Sequence, residues 1–290
     1  MAAQKWTCTG LRWSLEGPAL VWSGGRRSAL TWGKRVAFGV LDGTARQCVG
    51  ARGHLCPTRT PVPGRSTGAR CEECARLDRA HSVAADTIAD DPRPYRVYLA
   101  WFGPGLVKVG ITAAERGSAR LLEQGAVCFS WLGTGPLMAA RRTEELLRAA
   151  LGVPDRIPYA VKRTVRASLP AGAEERAAEV VALHARAVSL GNWPESLVPA
   201  PCQVMDHMDE FGLQRAEPAA GAVIELVAGG RVGGELVAAA GPDLHLAVEG
   251  RGVLVLDTRL LPGWELTPTQ EGDQITFPVK DFGARQDGLF

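Results

Sequence analysis

Residues 95–125 read YRVYLAWFGPGLVKVGITAAERGSARLLEQG, a stretch that spells two strands, a turn and a helix. Val97, Leu99 and Trp101 alternate with Tyr98 and Ala100, the period of a half-buried strand. Gly103-Pro104-Gly105 is a turn cluster, and Leu106 to Ile111 is a second apolar run rich in β-branched residues. Thr112 is placed to cap the segment carrying Arg116, Arg120, Leu121 and Leu122. In this arrangement Tyr98 on one strand, Gly110-Ile111-Thr112 at the end of the next, and Arg120 on the helix face a common point. That point is the candidate site.

Downstream, Val127–Leu132 reads as a third strand of the same sheet, ended by Gly133-Thr134-Gly135-Pro136. Leu137–Leu151 has a helical apolar face with Glu144 near its inner edge, and Arg141 and Arg142 on the same helix. Asp155–Arg166 holds a basic cluster around Tyr159, and Ala173–Leu190 predicts another helix. From Cys202 onward the pattern turns to β structure. Val223–Ala228, Gly234–Ala239, Leu244–Val248 and Val253–Asp257 predict a small antiparallel barrel or meander. The first 47 residues carry short aromatic and β-branched runs split by Gly-Pro, Gly-Gly and Asp-Gly turns. Their four tryptophans (Trp6, Trp13, Trp22 and Trp32) suit core packing better than a base-stacking surface. Asp78–Ala89 predicts a helix with Asp78 as its N-cap.

Between these β-rich and α/β stretches lie Cys48, Cys56, Cys71 and Cys74. The loop joining Cys56 to Cys71 (PTRTPVPGRSTGAR) forms neither helix nor buried strand, so it needs its ends tied. Tetrahedral Zn²⁺ held by four thiolates would tie them and contribute folding energy. His54 is an alternative ligand. A closed four-ligand site is structural rather than catalytic. Arg46, Arg52, Arg59, Arg65 and Arg70 flank it and suit either a nucleic-acid backbone or plain solvent. Cys8, Cys128 and Cys202 read as isolated buried thiols.

Composition limits the function classes. With 46% hydrophobic residues among 290, the chain supports real cores. No apolar run approaches the ~20 residues of a membrane span, and the N-terminus lacks a signal-peptide pattern. Seven irregularly spaced cysteines argue against a secreted disulfide framework. A cytoplasmic location without a membrane partner is expected; oligomeric state leaves no trace in the sequence. Residues 1–75 hold 11 Lys/Arg against 4 Asp/Glu, residues 76–195 hold 16 against 13, and residues 196–290 hold 6 against 14. The basic front suits a phosphate-bearing partner.

The 95–125 stretch resembles the GIY-YIG nuclease superfamily, in its branch with a lysine-bearing second motif. Tyr98 matches the first-motif tyrosine and Lys108-Val109-Gly110-Ile111-Thr112 the second motif, with Lys108 in place of its tyrosine. Arg120 matches the helix arginine and Glu144 the metal-binding glutamate. The fuller order (cysteines, VYLA, KVGIT, Arg, QGA, then a Glu-bearing helix) is similar to the domain-of-unknown-function family 2797. The resemblance implies an α+β fold: a small GIY-YIG-like sheet with flanking helices over 92–195, preceded by a zinc-binding element and helix over 48–91. Antiparallel β segments over 1–47 and 196–290 flank it. It also implies a Mg²⁺-dependent endonuclease. Tyr98 would be the general base, Lys108 would supply a nearby positive charge, Arg120 would clamp the phosphate and Glu144 would hold Mg²⁺. Gly110, Thr112, Arg116, Arg141 and Arg142 would contact nucleic acid, DNA or RNA. A non-catalytic zinc-containing nucleic-acid-binding protein and a protein-interaction scaffold stay open as alternatives.

Overall fold

The computed structural model describes residues 5–79, 91–269 and 274–282. Strands β1 (Cys8–Ser14), β2 (Gly17–Trp22), β3 (Arg27–Ala29) and β4 (Arg35–Val40) and helix α1 (Glu72–Arg79) open the chain. Then come β5 (Tyr95–Trp101), β6 (Val107–Ala113), α2 (Ala119–Gln124), β7 (Cys128–Gly135), α3 (Leu137–Leu151), α4 (Tyr159–Arg166) and α5 (Ala173–Ser189). Next are β8 (Val198–Pro199), β9 (Met205–Asp206), α6 (Met208–Phe211) and β10 (Gly221–Val223). Strands β11 (Arg231–Ala240), β12 (Asp243–Val248), β13 (Gly252–Asp257), β14 (Leu266–Thr267) and β15 (Val279–Asp281) close the series. The fold is mixed α+β with several antiparallel sheets. Two compact units result: Met1–Ala85 with Arg215–Phe290, and Asp86–Gln214.

In the first unit, β1, β2 and β3 form an antiparallel meander, and β14-β4-β11-β12-β13-β10-β15 form a second, larger sheet. The β4 run from the front of the chain pairs with β11, Val36 opposite Gly234 and Phe38 opposite Val232. Short strands alone bury too little to be stable, so the two chain ends share one sheet. Trp13 is buried and donates its indole N–H to the Gly241 carbonyl at 2.7 Å. Trp6, Trp22 and Trp32 are half-exposed, with the Trp6 and Trp22 rings 6.0 Å apart. The strand expected over Val223–Ala228 is confined to β10, and Asp78 lies inside α1 rather than capping a later helix. The remainder of that expected helix, including Val83, Ala84 and Ile88, lies outside the described residues.

The second unit is built on the sheet β6-β5-β7-β8, with β9 also paired to β7. One face carries Val97, Leu99, Trp101 and Val109 under Leu137, Ala140 and Leu147 of α3 and Val180, Leu183 and Ala187 of α5. The other face carries Tyr98, Ala100, Phe102 and Phe129 against Leu121 of α2. Each such fully buried Leu, Val or Phe contributes ~1.5–3 kcal/mol. Strand β5 is therefore buried on both faces, not half-buried. Its alternation marks two apolar layers, because the strand lies between β6 and β7 with a covering on each side. Strand β7 runs on through Gly133-Thr134-Gly135, since Val198-Pro199 pairs with that segment. Thr112 is no helix cap: it pairs with Arg96 inside the hairpin, and α2 begins only at Ala119, after Ser118. Among the described residues, no helix is long and apolar enough to cross a membrane.

Candidate functional site

Two clusters of chemistry-bearing side chains stand out, one in each unit. In the first unit, the Sγ atoms of Cys48, Cys56, Cys71 and Cys74 all lie within 4.8 Å of one another. Around zinc, sulfurs at ~2.3 Å from the metal stand ~3.8 Å apart, so the cluster needs only small side-chain adjustments to bind a metal such as zinc. Its support is local. Gly50 and Cys71 each donate a backbone N–H to Cys48 Sγ, at 3.4 and 3.2 Å. Cys74 sits in the first turn of α1. Gly50 has φ +81°, and a Cβ there would fall 2.7 Å from the Cys56 nitrogen, so the tight turn requires glycine. The Thr58 hydroxyl pulls Cys56 down to about 5, while burial and the neighbouring sulfurs push Cys74 up to about 12. Four thiols this close do not all ionise unless a cation sits among them.

His54 is not part of this cluster. It is exposed, and its backbone bridges to Ala51. Arg46 neither lines a groove nor faces solvent: it is 1% exposed, and its guanidinium donates to the carbonyls of Pro262, Arg259, Pro63 and Ser66. It pegs the cysteine loop to the Thr258–Leu260 turn. Arg70 donates to the Gly50 carbonyl at 3.0 Å, while Arg52, Arg59 and Arg65 are exposed. Cys8 and Cys128 are buried thiols, but Cys202 is exposed, because the segment holding it lies outside the core.

In the second unit the β5–β6 pairing sets Tyr98 directly opposite Gly110, and Lys108 opposite Ala100. Directly opposed residues point to the same side of a sheet. The Tyr98 ring lies across Gly110, where an added Cβ would come 2.5 Å from Tyr98 Cζ and press on the hydroxyl. Glycine is thus what lets the tyrosine lie down on the strand. Gln124, at the end of α2, donates its amide to Tyr98 Oη at 2.8 Å. Lys108 is buried, donates to the Asp155 carbonyl at 2.9 Å and stands 5.7 Å from the Tyr98 ring centroid. Thr112 is also buried on this hairpin.

The charges of this face act on one another. Burial, with Arg120 adding to it, lowers Lys108 to about 8, and Glu144 and Asp155 oppose the shift. Burial raises Tyr98; Gln124, Arg120 and Arg116 oppose that rise, and Glu144 adds to it. Burial raises Glu144, with Lys108 the strongest opposing charge. Tyr98, Lys108, Arg120 and Glu144 therefore share one electrostatic neighbourhood. Glu145, next to Glu144, behaves differently: it is exposed and paired with Arg148 at 2.6 Å. Arg116 and Arg120 converge on Glu123, at 2.6 and 3.7 Å. Arg142 is exposed on α3, and Arg141 is half-exposed beside Met138 Sδ at 3.9 Å.

A family model matches residues 33–266, a span that includes both clusters. The chain belongs to the family described as protein of unknown function (DUF2797). No curated protein and no solved structure matches it. In this member, the contacts of several residues gave little sequence signal. Gln124 stands in the QGA run, but the run does not tell that its amide is buried on Tyr98. Glu123 reads as a candidate partner of Arg120, and it pairs with Arg116 as well; Asp155 reads as a surface acid, yet its carbonyl holds Lys108. Lys162, part of the basic cluster around Tyr159, is buried instead, 3.6 Å from the Phe102 ring centroid, and donates to the Gln124 carbonyl. Only its place among aromatic residues hinted at that.

Proposed function

We propose that this protein acts on nucleic acid, and that its Asp86–Gln214 unit is a GIY-YIG-like module. The observation that supports this reading is the mutual electrostatic influence of Tyr98, Lys108, Arg120 and Glu144. The groups that are perturbed, Tyr98, Lys108 and Glu144, act on one another, and such clustering is a feature of functional sites. Arg120 donates to a phosphodiester oxygen, exchanging its loose partner Glu123 for a geometry that an arginine fork suits. Arg116 reinforces it from the same side.

In the catalytic form of this reading, Glu144 holds Mg²⁺. Magnesium binds through one or two carboxylates and completes its shell with water and phosphate oxygens, so the single carboxylate of Glu144, on α3, fits the ion. When bound, the ion would polarise the phosphate and stabilise the leaving oxygen. Lys108 and Arg120 neutralise the charge that builds on the phosphorus oxygens. The four-cysteine cluster is a structural zinc site, closed to substrate, that ties down the Cys56–Cys71 loop.

One observation favours a second reading, a non-catalytic binder on the same fold. Tyr98 is 1% exposed, accepts a hydrogen bond from Gln124 and is raised above its ordinary value. A phenol held protonated does not accept a proton from water at neutral pH. Both readings require phosphate binding. Affinity for DNA and RNA measured across salt concentrations tests it. The affinity falls with salt, and Arg120→Ala reduces the salt slope by about one. A slope of zero, or one that Arg120→Ala leaves untouched, overturns the assignment.

A further inference from the structure

The face that carries Tyr98 continues, on β7, into an aromatic cluster with no role in the phosphate chemistry, in which Phe129 is buried and Trp131 is partly exposed. Trp131 is the cross-strand partner of Tyr98. Its ring stands in T-shaped contact with Tyr98, centroids 6.1 Å apart, and with Phe129, centroids 5.1 Å apart. Its backbone carbonyl lies 3.3 Å from His184 Nε2, which fixes the strand behind it. The indole is half-buried, so its position is fixed while part of it reaches the surface. Arg96, two residues before Tyr98 and on the same side of β5, lays its guanidinium over that indole at 4.9 Å. Among the described residues no carboxylate pairs with Arg96, which is half-exposed and keeps its donors available.

Resting on the phosphate-binding reading above, we propose that Trp131 and Arg96 form a stacking platform for an unpaired nucleobase. The site therefore takes single-stranded or locally unpaired nucleic acid in preference to a closed duplex. A rigidly held indole offers a π-face that any base can stack on, and a planar cation beside it adds a cation–π contact. The same geometry explains why β5 carries an arginine where its neighbours are apolar: the planar guanidinium lies over the indole, and the half-exposed side chain carries the stack to the surface. A base stacked on Trp131 keeps its phosphate on the side of the sheet that carries Tyr98 and Lys108. Bases inside a duplex are stacked on one another and cannot reach the indole, so the preference for unpaired strands follows from the chemistry of the platform.

The test is equilibrium binding of labelled single strands and of a blunt duplex, without Mg²⁺, at several salt concentrations. Wild type is compared with Trp131→Leu, Trp131→Phe, Arg96→Ala and Arg120→Ala, with thermal melts for each. Leucine retains apolar packing against Tyr98 and Phe129 without a π-face; phenylalanine retains the face. Trp131→Leu is expected to weaken single-strand binding by about tenfold with an unchanged salt slope, and Trp131→Phe by only about threefold. Arg96→Ala weakens single-strand more than duplex binding, and wild type prefers the single strand by at least about tenfold. If Trp131→Leu binds single strands like wild type while Arg120→Ala still lowers the salt slope, the platform is wrong and the phosphate site stands. If wild type binds neither strand form, both assignments fall. If Trp131→Leu melts early, the ratio between Trp131→Phe and Arg96→Ala decides: equal binding by both and by wild type overturns the platform.

Discussion

The cysteine cluster and the Tyr98 face are both sets of four side chains gathered to one place, but they are held differently. The cysteines have few competing partners. Their sulfurs face each other, and the backbone N–H groups of Gly50 and Cys71 point at Cys48. Three of the four groups at the Tyr98 site are already engaged: Tyr98 with Gln124, Lys108 with the Asp155 carbonyl, Arg120 with Glu123. A site built to hold one permanent ion has nothing to release. A site for a transient phosphate has to trade partners, and the half-exposed Arg120–Glu123 pair, at 3.7 Å, is long and weakly held, so the trade is cheapest there. The buried partners of Tyr98 and Lys108 would cost more to displace.

The sharpest break between the two sites is expected at Cys74. Cys74→Ser should lose the bound metal and lower the melting temperature by ~10 °C or more, since structural zinc supplies folding energy. Cys202→Ser, at an exposed thiol, should change neither. Metal analysis with thermal melts checks both, and equal metal content in the two variants would remove the metal site from the account.

Lys108 probes the other site through pH. Its ammonium is lowered from about 10.5 to about 8 in the folded state, chiefly by burial, with Arg120 and Arg156 adding and Glu144 and Asp155 opposing. The folded-state value is the lower one, so the penalty is present below about 8 and is relieved as pH rises toward the unfolded value. Across that window the unfolded chain holds a proton that the folded chain has lost. Relative to Lys108→Met, wild type should gain up to ~1.4 kcal/mol per pH unit. Denaturant melts from pH 7 to pH 10 would show it, and parallel curves for the two proteins would contradict it.

A smaller and more local effect is expected at Gly110. Gly110→Ala drives a methyl into the Tyr98 ring, and overpacking of this kind costs ~1–3 kcal/mol. Chemical denaturation measures it. Tolerance of alanine with unchanged stability would mean that the ring does not rest on the strand.

Much of the second unit was legible because its signals are local. Helix α3 has the bounds its apolar period predicts, and Tyr98, Gly110 and Arg120 follow from two strands and the helix after them. The cysteine spacing likewise carried its cluster, since a proline- and glycine-rich loop must be held by something. What stayed hidden is tertiary. That strands from the two chain ends share a core was legible in how little either set buries alone, but which strands pair, β4 with β11, no short-range pattern encodes. The burial of Arg46 depends on four carbonyls brought together by folding, so its sequence context looks like any basic loop. The reading of β5 as half-buried failed because alternation reports two faces but not whether the second is covered. His54 failed for a simpler reason: its distance from Cys56 along the chain suited a ligand, but the turn closed by Gly50 directs it outward.

The catalytic claim is the one that a single experiment reaches most directly. Pooled DNA and RNA would be incubated with Mg²⁺ and wild type, Glu144→Ala or Tyr98→Phe, with cleavage and binding read from the same samples. The account predicts that wild type cleaves and that Glu144→Ala loses cleavage while still binding; Tyr98→Phe separates the two readings, losing cleavage only if the buried phenol takes part. Binding by all three proteins with cleavage by none would contradict the catalytic assignment and leave the Tyr98 face as a docking surface for nucleic acid.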